Sequence, residues 1–507
     1  MMTIAVDGTP KTIHEIARVA FDKEAVEIPS DTWDKMQVSR QIVEDIVSNE
    51  DRVYGINTGF GKFADVAISV ENIRKLQTNL VLSHAVAVGE LFSEAEVRAA
   101  MFLRANALAK GMSGIRPEVV QTLCSLLNKN VVPYVPQKGS VGASGDLAPL
   151  SHISLVLLGK GYAFYEGELI SGQDALNRAG IAPVELEAKE GLALTNGVQM
   201  TAAVLALTIH RGYALAVAAD VIASLTGQAL RVVRDAYDQG ITSLRPHTGA
   251  QEVGQNLRML LEGSQLATVS GEVRVQDPYV LRCIPQVHGA VRQALGHVAS
   301  VVEIESGSAT DNPMVLPDGR VISGGNFHGQ PLSIAGDYLG IALCSFGNMS
   351  ERRMARMMDH NKSGLPSFLT KNGGLNSGFM IMQYTAASIA SECKVLAHPA
   401  SVDTIPTSAD QEDHVSMSTT AARKAREICD NVSYILALEY LAACQAIEFK
   451  GAELLSPAGQ AAYELLRGKV PALQEDREMH HDIEEARSLI VSRRLEKAVR
   501  QVVKKLL

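Results

Sequence analysis

The sequence predicts a mainly α-helical protein, a long helix bundle with a smaller amino-terminal domain. From about residue 200 onward the chain consists of long segments rich in Ala, Leu and Val with few strand-like alternations, a pattern that favours helices. The most apolar segment, 201–230, is interrupted by His210, Arg211 and Asp220, so we expect a buried core helix rather than a membrane span. Three parts are predicted: an amino-terminal domain over 1–200, a central long-helix bundle over 201–450 and a helical carboxy-terminal tail over 451–507.

The amino-terminal part of the chain carries signals for three helices. Thr12 and Glu15 have the spacing of a capping box, so a first helix is expected to begin here. Apolar residues at helical spacing then predict a second helix over 31–48 and a third over 69–88. On the third helix His84 shares a face with apolar residues, which by periodicity alone is typical of a hydrogen-bonded core histidine.

The helical pattern is interrupted at 276–282. Asp277 is well suited to cap a helix, and Pro278 would occupy the first helical position, where its missing N–H costs nothing. Tyr279 and Arg282 are three residues apart, so they project from one side of that turn. Arginine can bind a carboxylate through two hydrogen bonds, although a salt bridge and a packed tyrosine would explain the pair equally well.

Composition limits the class of protein. The chain has 507 residues, of which 46% are hydrophobic and 20% charged, which suits an ordinary soluble protein. Its net charge of -9 argues against a general nucleic-acid binder. The six cysteines form no C-x-x-C pair and the 13 histidines no H-E-x-x-H motif, so we expect reduced thiols and no metal. The amino terminus lacks a signal-peptide pattern, and a cytoplasmic protein without membrane or nucleic-acid partners is predicted.

The segment 141–147 contains the tripeptide Ala143-Ser144-Gly145, which has an unusual chemical option. In a tight bend the amide nitrogen of Gly145 can reach the carbonyl carbon of Ala143 and close a five-membered ring. Loss of two waters, one from ring closure and one from the Ser144 side chain, then gives a 4-methylidene-imidazol-5-one with an electrophilic methylene. Gly145 leaves its nitrogen uncrowded and, with Gly142, permits the backbone angles of the bend.

Two other interpretations of these residues stay open at this point. Clusters of small residues commonly mark an ordinary turn. A serine hydrolase is a second option, but 142–146 reads G-A-S-G-D and lacks the second glycine of G-x-S-x-G at the required place. The tripeptide therefore has to be interpreted in its longer context.

The longer run 136–152, PQKGSVGASGDLAPLSH, closely resembles the signature of the histidine and aromatic amino-acid ammonia-lyases. The resemblance extends from about Val6 to Gly451 through several separate blocks. It implies that the Ala-Ser-Gly tripeptide forms the ring described above, as an autocatalytic prosthetic group carried by the amino-terminal domain. No metal or external cofactor is implied.

The resemblance also implies a base and several substrate contacts. In 54–63, YGINTGFGKF, Tyr54 occupies the position of a catalytic base on a mobile loop. His84 ends a segment that resembles the one selecting the substrate side chain, and histidine there is typical of the histidine and tyrosine branches. Asn196 matches an asparagine that contacts the reaction centre, and Phe327 matches a phenylalanine that packs near the ring.

The run Q-E-D-H at 411–414 is similar to that of the histidine-specific branch. The glutamate of this run, Glu412 here, faces the imidazole of the substrate in that branch, and Glu412 is also the second choice of base after Tyr54. Without the resemblance, such a polar run would be interpreted as a solvated helix start. Three residues near the predicted 278 turn belong to the same implied site: Gln276 and Arg282 as substrate contacts and Tyr279 as a catalytic residue.

The resemblance implies a lyase that converts L-histidine to trans-urocanate and ammonia, in a homotetramer whose subunits share active sites. Two departures concern the substrate: Val198 stands where a threonine is common, and 243–251 looks more like the aromatic branches. The alternatives are a tyrosine or other aromatic amino-acid ammonia-lyase or a 2,3-aminomutase. From a different class, the chain could be an inactive helical scaffold that never cyclises the loop.

Overall fold

The computed structural model describes residues 3–49, 52–59, 61–63, 66 and 68–507. Helices make up 59% of the protein, and the strands of the described part are only two to four residues long. These proportions confirm the prediction of a mainly α-helical protein. Within the glycine-rich segment 54–63, Phe60 lies outside the described residues.

Residue contacts divide the chain into two compact units, each built from three stretches of sequence. Unit 1 comprises Met1–His210, Val298–Asp337 and Pro399–Arg423, and unit 2 comprises Arg211–His297, Tyr338–His398 and Lys424–Leu507. These boundaries differ from the three sequential parts expected above, which remain a prediction.

Two early helices of unit 1 begin at capping boxes, in which side chains satisfy free backbone N–H groups. Thr12 and Glu15 form the predicted capping box, and Ser93 with Glu96 forms another at the start of a helix that is buried along most of its length. The early helices of the unit are α1 Ile13–Phe21, α2 Ser30–Ser48, α3 Ile73–His84, α4 Glu94–Ala109, α5 Pro117–Asn128, α6 Leu147–Leu157, α7 Gly172–Ala179 and α8 Glu190–Thr195.

Short strands of unit 1 tie its loops together. The strands are β1 Ile4–Ala5, β2 Val26–Glu27, β3 Val88–Leu91, β4 Val132–Pro133, β5 Pro136–Lys138, β6 Tyr162–Tyr165, β7 Glu168–Ser171, β8 Met314–Val315 and β9 Val321–Ile322. β1 pairs with β2 in parallel, whereas β3–β5, β4–β6, β6–β7 and β8–β9 are antiparallel. Because β5 pairs with β3, the chain enters the Ala-Ser-Gly loop beside the segment that follows α3.

The remaining helices include four that are longer than 20 residues, and four of the five boundaries between the units fall within them. They are α9 Gln199–Ala229, α13 Ile284–Ser306, α14 Gln330–Met358 and α17 Ser418–Ile447. The shorter ones are α10 Gln239–Leu244, α11 Thr248–Leu260, α12 Tyr279–Arg282, α15 His360–Ser363, α16 Met380–Leu396, α18 Pro457–Arg467, α19 His480–Val491 and α20 Arg494–Arg500. Short 3-10 helices cover Gly61–Phe63, Val70–Asn72, Arg234–Tyr237, Ser367–Leu369 and Ala452–Leu454.

Helix α9 corresponds to the apolar segment expected to form a core helix. It is long and apolar enough to cross a membrane by length and composition, but 83% of its most apolar 18-residue window is buried within the protein. Its Asp220 is also buried, and accepts hydrogen bonds from His288 Nδ1 at 2.8 Å and Arg292 at 2.6 Å. Burial raises the pKa of Asp220, but the charge of Arg292 and the hydrogen bond from His288 outweigh this effect, so the pKa is lowered. The buried charge is therefore paired.

The helix predicted over 69–88 is shorter than expected. A 3-10 turn at Val70–Asn72 precedes α3, and α3 ends at His84 because Ala85 adopts non-helical angles (φ -80°, ψ 65°). The chain then continues into β3. His84 consequently lies at the carboxyl end of a helix rather than within one.

The predicted capping function of Asp277 is wrong. Helix α12 has Pro278 before its first residue and no side-chain cap. The Asp277 carboxylate instead accepts the backbone N–H of Val233 at 2.6 Å and a hydrogen bond from Arg274 at 2.6 Å. A buried carboxylate gains more from a cation and a buried N–H than from an exposed helix end.

Candidate active site

The Ala-Ser-Gly loop is sharply bent at its two glycines. Gly142 and Gly145 have φ of 68° and 73°, angles that residues with a side chain rarely adopt. A Cβ on Gly145 would lie 2.1 Å from the carbonyl oxygen of Gly197. The two backbones touch because the N–H of Asp146 donates to that same oxygen at 2.6 Å. Glycine is therefore the residue that fits at 145.

Asp146 anchors this loop through its buried carboxylate. Sequence reasoning did not identify it as a site residue. The carboxylate is fully buried and accepts hydrogen bonds from the Thr201 backbone N–H (2.8 Å), the Thr201 and Thr419 hydroxyls (2.9 and 2.7 Å) and the Ser140 hydroxyl (3.2 Å). Burial raises the pKa of Asp146, and these bonds oppose the rise. The local sequence signal that could have identified Asp146 is an acidic residue directly after a loop of small, mostly apolar residues.

Ser144 brings two predicted site residues together. Its hydroxyl donates to Glu412 Oε1 at 2.7 Å, and its carbonyl oxygen accepts from the Asn196 side-chain amide at 2.6 Å. Asn196 is buried at the end of α8, whose carboxyl terminus it caps through its backbone N–H. The loop, Asn196 and Glu412 thus form one connected cluster.

Glu412 stands on a tightly closed turn. Its backbone pairs with Thr407 through two hydrogen bonds, Thr407 N–H to Glu412 O at 2.9 Å and Glu412 N–H to Thr407 O at 3.3 Å. Between them Ser408, Ala409 and Asp410 all adopt left-handed angles, with φ of 52°, 52° and 64°. The segment is therefore a left-handed turn and not the solvated helix start that its polarity alone would indicate, and the next helix begins only at α17.

Tyr54 and His84 complete the polar side of the site, and Glu412 influences both. Burial raises the pKa of Tyr54; the Gly61 N–H, 3.5 Å from its hydroxyl, lowers it, and the negative charge of Glu412 raises it further. Burial lowers the pKa of His84, against the opposing effects of the Leu80 backbone and Glu412. At neutral pH the phenol is therefore protonated and the imidazole uncharged.

These residues line one cavity of about 1140 Å³, formed by residues of unit 1. Its volume exceeds the roughly 300–1,000 Å³ of common ligand pockets. The predicted site residues that line it are Tyr54, His84, Ala143, Ser144, Asn196, Phe327 and Glu412.

Of the predicted site residues, Gly145 and three others do not line this cavity. Gln276, Tyr279 and Arg282 belong to unit 2, where Gln276 is exposed and Tyr279 is 68% exposed. The Arg282 guanidinium lies over the Tyr279 ring, 4.6 Å from its centre. Within the described chain Arg282 Nε is buried without a hydrogen-bond partner.

Comparisons with known proteins agree with this architecture. The model of the aromatic amino acid lyase family matches residues 11–468. A histidine ammonia-lyase of Caldanaerobacter subterraneus subsp. tengcongensis is 52% identical over 99% of both chains, and one of Bacillus subtilis is 48% identical over 95% of both. Among solved structures, a tyrosine aminomutase of Streptomyces globisporus superposes with a TM-score of 0.95 at 37% identity, covering 99% of both chains. A histidine ammonia-lyase of Trypanosoma cruzi superposes with a TM-score of 0.92 at 40% identity, covering 99% of this chain and 96% of that one.

The aromatic amino acid lyase family and the similar histidine ammonia-lyases identify a carbon–nitrogen lyase, as predicted. The chain belongs to the aromatic amino acid lyase family.

Proposed function

We propose that the protein eliminates ammonia from L-histidine and releases trans-urocanate. The observation that carries this proposal is the position of Glu412, whose carboxylate is 2.7 Å from the Ser144 hydroxyl in a cavity that His84 also lines. An imidazole offers N–H groups to such a carboxylate, whereas a phenyl ring would leave it unpaired. The names of the similar histidine ammonia-lyases support the same substrate.

Ala143-Ser144-Gly145 is proposed to form the 4-methylidene-imidazol-5-one prosthetic group. The residues fit this group, because the loop is bent at Gly142 and Gly145 and a side chain at 145 would collide with Gly197. Asn196 would hold the group through the Ser144 carbonyl oxygen, and Asp146 would anchor the loop. When formed, the group supplies an electrophilic methylene.

Glu412 and His84 are proposed to recognise the imidazole of the substrate, with Phe327 packing beside it. The carboxylate accepts an imidazole N–H, and the uncharged His84, whose pKa burial lowers, offers a second hydrogen bond. Two polar groups that need partners exclude side chains without them. Substrate choice would follow from this pair.

Tyr54 is the first choice of base for the β-proton, and Glu412 is the second. Since burial and Glu412 raise the pKa of Tyr54, its phenol needs a nearby positive charge to ionise, and only the resulting phenolate can accept the β-proton. Glu412 is 2.7 Å from the hydroxyl of Ser144, close to where the reacting carbons of the substrate would lie. The order of these two candidates stays part of the proposal.

Gln276, Tyr279 and Arg282 are proposed to act from another copy of the chain in a homotetramer with shared sites. Arg282 would bind the substrate carboxylate through its planar guanidinium, Gln276 would contact the substrate, and Tyr279 would take part in catalysis. The unpartnered Arg282 Nε and the exposed Tyr279 support this assignment.

The protein is proposed to act in the cytoplasm. Its six cysteines are free thiols, which suits a reducing compartment.

A 2,3-aminomutase acting on an aromatic amino acid is the second candidate. It is favoured by the close superposition with a tyrosine aminomutase and by the buried Val198, which offers no hydroxyl beside Asn196. Such an enzyme would yield a β-amino acid without free ammonia. Product analysis with L-histidine and L-tyrosine distinguishes the two candidates.

The deciding experiment follows urocanate formation from L-histidine by ultraviolet absorbance and measures the intact mass of the protein. We expect turnover and a mass lower than the full sequence by two waters. Ser144→Ala should abolish both. Ser154→Ala is the matched control, because this buried hydroxyl bonds only its own helix, to Leu150 O at 2.8 Å; it should keep both. A wild-type protein at full mass would contradict the proposed lyase activity. A wild-type protein that lacks two waters but does not act on L-histidine would contradict histidine as the substrate.

A further inference from the structure

The Glu412 carboxylate has one hydrogen bond on each oxygen in the described chain. Oε1 accepts from the Ser144 hydroxyl and Oε2 accepts from the Thr407 hydroxyl, both at 2.7 Å. The two bonds differ in their fate. Ring formation removes the Ser144 hydroxyl as water, so Oε1 loses its partner when the proposed prosthetic group forms, while the bond from Thr407 to Oε2 remains.

The backbone around Glu412 directs the carboxylate towards Thr407. The two residues pair through their backbones, and three of the four residues between them are left-handed although none is glycine. Such angles persist in non-glycine residues only where surrounding contacts impose them. The turn therefore holds the Thr407 hydroxyl against the carboxylate.

The turn is hydrogen-bonded to the Ala-Ser-Gly loop on one side and closely approaches Gly61 on the other. After Glu412, the Ser416 hydroxyl donates to the carbonyl of Gly142 at 2.8 Å and the Met417 N–H donates to Val141 at 2.8 Å. On the other side a Cβ on Gly61 would lie 2.8 Å from Ser408 Oγ. The turn thus fits closely between the Ala-Ser-Gly loop and the segment that bears Tyr54.

We infer that Thr407 is a positioning residue for substrate recognition: its hydroxyl holds Oε2 of Glu412 so that Oε1, freed by ring formation, faces the imidazole. A charge-assisted hydrogen bond fixes direction as well as distance. Without it the carboxylate can rotate away from the substrate. This inference rests on the proposed function, since it concerns the recognition of histidine.

The test compares Thr407→Val, which removes the hydroxyl at nearly constant shape, with Thr407→Ser, which keeps it. We expect Thr407→Val to raise the KM for L-histidine and the Kd for imidazolepropionate, measured by calorimetry, about 10-fold or more, with a smaller change in kcat. Thr407→Ser should stay within about twofold of wild type. The two-water mass deficit should persist in both variants, because in the described structure the Thr407 hydroxyl bonds Glu412 and not the Ala-Ser-Gly loop.

Thr404→Val is the matched control for local destabilisation. The Thr404 hydroxyl accepts the N–H of Val415 at 2.8 Å, so its loss perturbs the same segment without touching Glu412. We expect a KM and a Kd near those of wild type. Equal losses in Thr404→Val and Thr407→Val would overturn the inference, and so would a Thr407→Val protein that binds both ligands as wild type does.

A double mutant gives a different result if Thr407 has only a structural role. In a Glu412→Ala background, Thr407→Val should cause no further loss of imidazolepropionate binding, because the two residues act as one unit. Additive losses would overturn the inference. A wild-type protein that forms no urocanate would overturn the proposed function and this inference with it, whereas an active wild type with an indifferent Thr407→Val overturns the inference alone.

Discussion

Replacing Gly145 by alanine tests whether the shape of the Ala-Ser-Gly loop matters for its chemistry. The new Cβ would lie 2.1 Å from the carbonyl oxygen and 2.4 Å from the carbonyl carbon of Gly197, both rigid backbone atoms. Overpacking of this kind costs about 1–3 kcal/mol. The φ of 73° adds about 1–2 kcal/mol for a residue with a side chain, so the total is about 2–5 kcal/mol.

Gly180→Ala separates these two contributions. Gly180 has a similar φ of 67°, but nothing lies within 4 Å of its added Cβ, so only the backbone cost of about 1–2 kcal/mol applies. Urea unfolding at fixed protein concentration gives the stability difference, and intact mass reports ring formation. We expect Gly145→Ala to lose more stability and to remain at full mass. A Gly145→Ala protein as stable as Gly180→Ala and lacking two waters would refute this reasoning.

Three further predictions follow from the buried polar groups. Asp146→Asn turns an amide N–H towards the donors of Thr201, so it should lower the free energy of unfolding by about 1–3 kcal/mol. Much of the variant should also fail to form the ring and remain at full mass. An unchanged urea midpoint and complete ring formation would contradict this prediction. L-Phenylalanine should have a kcat/KM roughly 10⁴-fold below that of L-histidine if Glu412 and His84 are both left unpaired, and a ratio near one would exclude imidazole recognition. Burial lowers the pKa of His288, so the unfolded state binds a proton below pH ~6.5 that the folded state resists, and stability falls as pH falls. His288→Asn should therefore make stability less dependent on pH between pH 7 and 5, and an unaltered slope would contradict it.

Local sequence signals predicted those features that depend on neighbouring residues. The capping box of Thr12 and Glu15 formed as expected, since its bonds link residues three apart. The bent loop at 142–145 was also foreseeable, because glycines permit positive φ wherever they occur. The resemblance then assigned Asn196 and Glu412, which are far apart in the chain, to one site, which spacing alone could not do. In the structure both side chains bond Ser144.

The features that were missed depend on distant contacts or on strain. Asp146 gains its importance from hydroxyls at 140, 201 and 419, and no short pattern marks that convergence. Left-handed angles at Ser408, Ala409 and Asp410 contradict local preference, so a sequence without glycine there gives no sign of the turn. The Asp277 cap failed for a similar reason: the N–H of Val233 and the side chain of Arg274 compete for its carboxylate.

Glu412 gives the cavity two opposing properties under the proposed function. Its negative charge suits the recognition of an imidazole N–H, but the same charge adds to burial in raising the pKa of Tyr54. The Gly61 N–H, 3.5 Å from the tyrosine hydroxyl, opposes that rise without overcoming it. A cation near the hydroxyl would favour the phenolate, and Arg282, proposed to bind the substrate carboxylate from another copy, would bring a guanidinium to this cavity. Proton abstraction by Tyr54 would then depend on assembly, because the base and the cation that activates it would come from different copies of the chain.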